Sequence, residues 1–275
     1  MKIVENRPIS ALTIAGSDSG GGAGIQADLK TFAAHGVHGL SALAALTAQH
    51  TRGVTAVHVP PLEFLKAQIE ACFDDFSIGA VKLGMLASSQ VIQTVASALA
   101  QHGAGGNPLP VVLDPVMVAT SGAKLLQDDA LQALRDRLLP ACTILTPNLP
   151  EAELLLGRKL SSVAAMHEAA ADLRAMGAGA VLLKGGHLEG TTEVTDVFHT
   201  HGVAQEIIHP RLSLNAHGTG CTLASAIAAN LCLGRGVLEA CLAASDYVHA
   251  ALLGGYRPGR SDILVLDHFG ASPLR

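Results

Sequence analysis

Short apolar runs alternate with longer segments of helical periodicity along the 275-residue chain. The runs have the length and composition of buried strands; they are "ALTIAG" (11–16), "IGAVKLGML" (78–86), "VVLDPVM" (111–117), "CTILTPN" (142–148) and "AVLLKGG" (180–186). Segments such as 61–76, 88–102 and 162–177 carry apolar residues at helical spacing. This alternation predicts a mainly parallel central sheet with helices on both faces. We expect one α/β domain over residues 1–275.

The last third of the chain departs from this alternation. The polar, β-rich segments "TEVTDVFHT" (192–200) and "VAQEIIH" (203–209) predict a hairpin, which we interpret as a small β flap. Two alanine-rich helices follow, at about 219–233 and 236–253. Ligands of such sheets bind where the strands end, so the loops after the apolar runs are the candidate site.

Composition excludes several classes of function. A net charge of −5 and a pI near 6.2 argue against nucleic acid as a partner. No continuous apolar span of about 20 residues predicts a membrane segment, and "MKIVENRPIS" has no signal-peptide pattern. The five cysteines include no CxxC pair, which argues against a disulfide framework or structural zinc. We expect a cytoplasmic protein.

The first loop with unusual chemistry is "AGSDSGGGAGIQAD" (15–28). Its glycines let backbone N–H groups approach a ligand before a helix begins. It lacks the GK[ST] ending of a P-loop. Residues 22–27 fit the G-x-G-x-x-A dinucleotide fingerprint, but no acid between Asp28 and Glu63 is available to hold a ribose. A purely structural turn flanked by Asp18 and Asp28 is a further alternative.

The segment "LTAQHTRGV" (46–54) places Gln49 in a largely apolar neighbourhood. A planar amide offers one acceptor and two donors, which suits recognition of a small heterocycle. The alternative is an ordinary glutamine that faces solvent.

Two acids follow neighbouring predicted strands, Asp114 in "VLDPVM" and Glu151 in "TPNLPE". Carboxylates at adjacent strand ends are suitable Mg²⁺ ligands, directly or through water. Glu151 is also the third residue of a capping box that begins at Asn148, and the two roles are compatible.

Lys184 ends the apolar run 180–183 just before two glycines. An ammonium there is suited to neutralise phosphate oxygens. The alternative is a lysine that extends along the sheet edge into solvent.

The turn Gly218–Thr219–Gly220–Cys221 precedes a long apolar helix. Its free N–H groups and the helix dipole predict an anion site, and the same position is expected to lower the pKa of the Cys221 thiol. Packing of a buried cysteine and a Cys–His hydrolase that uses His217 are the alternatives.

Taken together, these motifs resemble the hydroxymethylpyrimidine/phosphomethylpyrimidine kinases of thiamine biosynthesis, members of the ribokinase-like fold. The resemblance covers about 11–253. It rests on seven segments in the family's order: "AGSDSGGGAGIQADLKTF", "TAQHTRGV", "KLGMLAS", "VLDPVM", "LTPNLPEAELLLG", "VLLKGGH" and "HGTGCTLASAIAA".

The resemblance implies phosphoryl transfer from ATP·Mg²⁺ to 4-amino-5-hydroxymethyl-2-methylpyrimidine and then to its monophosphate. It also implies a homodimer. The implied pyrimidine contacts are Gly16, Gln49, Asp28, Met85 and Val116.

The implied phosphate ligands are Lys184 and the amides of Gly218, Thr219, Gly220 and Cys221, and the implied metal ligands are Asp114 and Glu151. Cys221 stands where many related kinases carry a catalytic aspartate, so it either accepts the hydroxyl proton or only orients the hydroxyl. If it accepts the proton, Cys221→Ser should harm the first phosphorylation more than the second.

Two departures from the family pattern concern the acceptor. Many relatives carry asparagine at the position of His50 and threonine at that of Ala216. Pyridoxal or pyridoxine kinase is therefore the main alternative function. A dinucleotide-dependent oxidoreductase and a pyrimidine-binding regulator are the alternatives from other classes.

Overall fold

The computed structural model describes residues 8–103, 108–118, 125–127 and 129–274. Most of the N-terminal segment used to argue against a signal peptide lies outside these ranges. The strands are β1 (Ser10–Gly16), β2 (His38–His50), β3 (Gly53–His58), β4 (Ile78–Leu83), β5 (Val111–Leu113), β6 (Ile144–Leu145), β7 (Val181–Leu183), β8 (Glu193–Thr200), β9 (Val203–Pro210), β10 (Ala216–His217) and β11 (Leu264–Val265).

The helices alternate with the strands, as the apolar periodicity predicts. They are α1 (Gly24–Ala34), α2 (Leu62–Asp75), α3 (Ser89–His102), α4 (Ala130–Ala133), which continues as a π-helical turn (Leu134–Leu138), α5 (Leu149–Leu156), α6 (Val163–Ala175), α7 (Thr219–Cys232) and α8 (Val237–Leu253). Among the described residues, no helix is both long enough and apolar enough to cross a bilayer.

Nine strands form one sheet in the order β3-β2-β1-β4-β5-β6-β7-β8-β9. The six strands from β2 to β7 in this order run parallel, and β3, β8 and β9 are each antiparallel to the preceding strand. The carboxyl ends of the parallel strands therefore meet along one edge of the sheet. This edge is where the predicted site residues converge.

Each face of the sheet is covered by helices, which confirms the predicted layers. Alternate residues of β1 explain how both faces become apolar: Leu12 and Ile14 pack towards α2, α3, α5 and α6, and Ala11 packs towards α1, α7 and α8. The two layers bury separate apolar clusters, so the sheet is held from both sides.

The β8–β9 hairpin is present, but its strands extend the central sheet instead of forming a separate flap. The reason is that Val197 and Phe198 are buried in the two core layers. The β2–β3 pair is the hairpin that is largely exposed, since β2 pairs only with β3 after Ala45. The sequence analysis assigns no strand or hairpin to the segment 46–54 that contains its turn.

Candidate active site

A cleft of about 450 Å³ opens at the carboxyl edge of the parallel strands. It collects residues from the ends of the six parallel strands, or from the loops directly after them, and from the start of α7. All but one of the residues predicted for a site line this cleft: Gly16, Gln49, Met85, Asp114, Val116, Glu151, Lys184, Gly218, Thr219, Gly220 and Cys221. The exception is Asp28.

One wall of the cleft is mainly apolar. Gly16 ends β1, and a Cβ placed on it would lie 3.0 Å from the Met85 sulfur, so the two residues are in close contact. Met85 belongs to a small apolar cluster against which Val116 packs. Gln49 adds an amide to this wall. The wall therefore combines an apolar surface with one planar group able to donate and accept hydrogen bonds.

The Gln49 amide makes a close polar contact on each side. Its Oε1 lies 3.1 Å from the Thr47 hydroxyl, and its Nε2 lies 3.0 Å from Nε2 of His217. The same His217 nitrogen lies 3.1 Å from Oδ2 of Asp18. The amide that faces the cleft is thus part of a network that reaches the glycine loop.

The glycine loop is organised by Asp18. Its carboxylate accepts hydrogen bonds from the N–H groups of Gly20, Gly22 and Ala23 at 2.8–2.9 Å. Burial opposes ionisation of Asp18, but the His217 contact and the amides outweigh it and hold the pKa below its ordinary value. Because Asp18 already uses these amides, the loop does not fit a dinucleotide pyrophosphate site.

A second part of the cleft lining, the charged wall, carries the ionisable groups. Nζ of Lys184 lies 3.0 Å from Oδ1 of Asp114, and Glu151 is buried beside them. Burial alone would lower the pKa of Lys184, but the attraction of Asp114 and Glu151 raises it. Lys184 therefore keeps its positive charge at the edge of the cleft.

Glu151 has the double position that its sequence context predicts. The N–H of Asn148 donates to Oε2 of Glu151 at 2.8 Å, and the N–H of Glu151 donates to Oδ1 of Asn148 at 2.9 Å, which confirms the capping box at the start of α5. Burial and repulsion from Asp114, only partly offset by Lys184, raise the pKa of Glu151 to about 7. Two buried carboxylates thus share one lysine.

The N-terminus of α7 closes the charged side of the cleft. Its N-cap is Gly218, whose φ of 88° lies in the left-handed region, and no side chain among the described residues caps the helix. A Cβ on Gly218 would overlap the carbonyl oxygen of Gly22, and a Cβ on Gly220 would lie 3.0 Å from Nζ of Lys184. Only glycines let this backbone approach the glycine loop and the lysine.

Cys221 lines the cleft, but the expectation of a lowered pKa is wrong. Burial raises the pKa of its thiol to about 11; Lys82 opposes this shift, and the carboxylates of Asp28 and Asp114 add to it. The helix N-terminus is only one contribution, and burial near two acids outweighs it. The thiol is protonated at neutral pH, which does not fit a cysteine hydrolase.

Asp28 lies beneath the cleft and not on its surface, contrary to the predicted pyrimidine contact. It is fully buried, and both of its oxygens lie 2.9 Å from Nζ of Lys82. Thr13 and Ser225 also donate to it, each at 2.7 Å. Asp28 faces inward because α1 packs on β1 and α7, and side chains from β1, β4 and α7 fill its acceptor positions.

The sequence interpretation assigned no role to Lys82, to Asp18 or to Asp196. Lys82 is fully buried in β4 at the base of the cleft, and a charged residue within the apolar run 78–86 was a usable signal. Asp196 accepts a hydrogen bond at 2.8 Å from the N–H of Gly185, next to Lys184. Its position in a predicted hairpin gave no indication of this contact.

Comparison with known proteins agrees with this geometry. The family model described as phosphomethylpyrimidine kinase matches residues 18–265. A hydroxymethylpyrimidine/phosphomethylpyrimidine kinase of Rhizobium meliloti is 50% identical over 244 residues, which cover 88% of this chain and 90% of the relative.

Solved structures resemble the whole fold. A phosphomethylpyrimidine kinase of Clostridium difficile has a TM-score of 0.77 at 41% identity, covering 88% of this chain and 98% of the other. The pyridoxal kinase of Bacillus subtilis in an ADP complex has a TM-score of 0.87 at 34% identity, covering 98% and 100%. The fold is therefore the ribokinase-like fold that the motifs implied. The chain belongs to the phosphomethylpyrimidine kinase family of phosphotransferases.

Proposed function

We propose that this chain transfers a phosphoryl group from ATP·Mg²⁺ to the hydroxymethyl group of 4-amino-5-hydroxymethyl-2-methylpyrimidine, and then to the phosphate of the monophosphate. The observation that carries the proposal is the division of one cleft into two walls. The cleft is lined by an apolar wall with one amide and by a wall with Lys184 and the N-terminus of α7. The first suits a flat heterocycle, and the second suits a transferring phosphoryl group.

The charged wall supplies what phosphoryl transfer requires. The reaction needs alignment and neutralisation of oxygen charge more than covalent chemistry. The Lys184 ammonium and the amides of Thr219, Gly220 and Cys221 are the groups that bind the transferring oxygens in this proposal. Their support is the uncapped helix start, whose dipole favours an anion.

The apolar wall orients the acceptor. In the proposal Met85 and Val116 contact the ring faces, Gly16 allows the ring to approach β1, and Gln49 hydrogen-bonds the polar edge. Asp28 does not contact the acceptor in this proposal, since its four acceptor positions are occupied by protein groups. Its role is to hold Lys82 in place at the base of the cleft.

Cys221 orients the acceptor hydroxyl in this proposal. A thiol with a pKa of about 11 holds its proton at neutral pH and so is a poor acceptor. A loose transition state makes early proton removal unnecessary. For the second step the acceptor is an ionised phosphate, which needs no base.

The residues present fit a magnesium ion. Asp114 and Glu151 are hard oxygen donors on one wall, and the pair carries more negative charge than Lys184 alone balances. No cluster of three or more acidic, histidine or cysteine ligands occurs among the described residues, so water and phosphate oxygens would complete the coordination. When bound, the ion supplies further neutralisation of phosphate charge.

The test is ADP release with purified protein, ATP and Mg²⁺, comparing the pyrimidine, its monophosphate and pyridoxal. We expect turnover of both pyrimidines. Pyridoxal is the second candidate acceptor, because the Bacillus subtilis pyridoxal kinase superposes with a TM-score of 0.87. Turnover of pyridoxal alone would overturn the choice of acceptor, and no turnover with any acceptor would overturn the kinase proposal.

Three further proposals concern the localisation, domain organisation and oligomeric state of the protein. The protein acts in the cytoplasm, as its composition indicates, and residues 1–275 form one domain, since a single sheet contains strands from β1 to β9. It forms a homodimer, as the resemblance implies; β3 is an edge strand with an exposed Val57 that is available for pairing. Size-exclusion chromatography with light scattering measures the mass of the purified protein, and a monomeric mass would contradict the dimer.

A further inference from the structure

We propose that His217 determines acceptor specificity by fixing which end of the Gln49 amide carries the oxygen. The inference rests on the proposed function, in which Gln49 contacts the acceptor ring. His217 is a positioning residue here: it acts through Gln49 and need not contact the acceptor itself. The observation is a chain of three close contacts from Asp18 through His217 and Gln49 to Thr47.

The first step concerns the proton on His217. Asp18 is ionised and accepts three backbone N–H bonds, and a carboxylate can only accept. The contact of 3.1 Å between Asp18 and Nε2 of His217 is therefore a hydrogen bond only if Nε2 carries a proton. The contact to Asp18 thus selects the Nε2–H form of the ring.

The second step concerns the amide. A protonated Nε2 cannot accept from the –NH₂ of Gln49, so two donors would face each other at 3.0 Å. The two orientations of an amide fill the same volume, and hydrogen bonding selects between them. The amide is therefore reversed relative to the placement described for the site, so that its oxygen faces His217 and its –NH₂ faces Thr47.

The third step tests this orientation at Thr47. The Thr47 hydroxyl lies 2.8 Å from the carbonyl oxygen of Ser17 and 3.1 Å from the Gln49 amide. It donates its single proton to the carbonyl, which leaves its lone pairs to accept from the Gln49 –NH₂. Every contact in the chain then joins a donor to an acceptor, and the single Nε2–H of His217 is shared between Asp18 and the Gln49 oxygen.

The consequence is a fixed order of donor and acceptor along the apolar wall. A ring in the cleft meets the amide N–H on the Thr47 side and the amide oxygen on the His217 side. An aminopyrimidine edge and a hydroxypyridine edge differ in their order of donors and acceptors. A buried site that fixes one order discriminates against a ring that presents the other.

The anchoring of His217 makes this arrangement rigid. Its backbone pairs with Val265 in the β10–β11 ladder, and the ring packs on the glycine loop so closely that a Cβ on Gly22 would lie 2.9 Å from its Cδ2. Asp18 is itself fixed by three amides. A rigid relay is what selection between two equal-volume amide orientations requires.

The experiment compares His217→Phe, which keeps a ring of similar size but has no donor, with His217→Gln, which retains an N–H near the position of Nε2. For His217→Phe we expect the ratio of kcat/KM for the pyrimidine to that for pyridoxal to fall about tenfold or more, mainly through KM for the pyrimidine. The KM for ATP and the melting temperature should remain close to wild type. His217→Gln should retain most of the ratio, and His58→Gln, on the exposed β3, is the matched control.

A second measurement is independent of turnover. ¹⁵N spectra of histidine-labelled wild-type protein, assigned by the loss of one signal in His217→Phe, should report a protonated Nε2. A bare Nε2, or an acceptor ratio within twofold of wild type in a folded His217→Phe, would overturn the inference. Failure of the proposed function is a different result, because wild-type protein would then fail to turn over the pyrimidine.

Discussion

Two lysine–aspartate pairs lie at the carboxyl ends of the sheet, and their surroundings differ. In the first, Lys82 and Asp28 are both fully buried, and the ammonium contacts both carboxylate oxygens at 2.9 Å. Hydroxyl groups of Thr13 and Ser225 complete the acceptor positions. Four secondary-structure elements meet at this pair, and the Asp28 carboxylate has no acceptor position left for a ligand.

In the second pair, Lys184 contacts Asp114 through one oxygen at 3.0 Å. The lysine side chain is 14% exposed, and it borders the cleft together with Glu151. The comparison teaches that a buried ion pair serves binding when its hydrogen bonds are incomplete on the side of the cleft. When they are complete, it serves the packing beneath the site.

We expect the largest effect from a substitution in the Lys184–Asp114 pair, which we call the open pair because it borders the cleft. Lys184→Met should lower kcat by about 10⁴-fold, because the main cation on the transferring phosphoryl group is lost. Single-turnover kinetics with the pyrimidine and ATP measure this. Lys66→Met, on the exposed face of α2, is the matched control. A loss of less than tenfold would contradict the role assigned to Lys184.

The next largest effect is expected for the Lys82–Asp28 pair, which we call the closed pair because it is fully buried. A substitution there should lower the stability of the fold. Lys82→Met leaves the Asp28 carboxylate buried without its cation, and we expect the free energy of unfolding to fall by about 4 kcal/mol. Lys82→Met combined with Asp28→Asn should recover part of this loss. Urea denaturation of the three variants is the measurement. A stable Lys82→Met protein with a raised KM for the acceptor would instead make Lys82 a direct ligand contact.

The third prediction concerns the pH dependence of stability that Asp196, next to the open pair, should cause. Burial raises the pKa of Asp196 to about 6, although the Gly185 N–H and Lys184 oppose the shift. The neutral acid favours the folded state, so its contribution is complete below about pH 4 and is lost as pH rises through about 6. Asp196→Asn cannot ionise and retains an oxygen for Gly185.

Relative to wild type, the free energy of unfolding of Asp196→Asn should therefore rise by about 3 kcal/mol between pH 4 and pH 7. Thermal melts in a buffer series without nucleotide measure the difference. A wild-type curve that runs parallel to that of the variant would mean that Asp196 is ionised throughout.

The smallest effect concerns the thiol between the two pairs. Because Cys221 is protonated at neutral pH, Cys221→Ser should reduce kcat by less than about fivefold and by the same factor with the pyrimidine and its monophosphate. Initial rates with each purified acceptor give the two factors. A tenfold loss confined to the first phosphorylation would restore the proton-acceptor role that the sequence suggested.

The sequence was sufficient for the layers of the fold and for most of the cleft, since strand ends and loop chemistry are local properties. It predicted the capping box at Asn148 because two residues three positions apart, Asn148 and Glu151, decide it. It missed the closed pair because Asp28 and Lys82 are 54 positions apart, and no local pattern indicates which lysine neutralises which acid.

The prediction of a lowered pKa for Cys221 was wrong for the same reason. The rule for a helix N-terminus is local and was applied correctly, but the buried carboxylates of Asp28 and Asp114 come from other elements. The β8–β9 hairpin was predicted from alternation, whereas its place at the sheet edge depends on pairing with β7. Site electrostatics and sheet order are both set by contacts distant in sequence.

The contact between His217 and Asp18 joins positions 199 residues apart. During synthesis the chain emerges from its N-terminus, so β1 to β9 are available before α7 exists. A nascent chain that stops before residue 217 has the strands of the central sheet but neither the anchor of the Gln49 amide nor the amides of α7. The cleft is completed only when the last fifth of the polypeptide closes over the first loop.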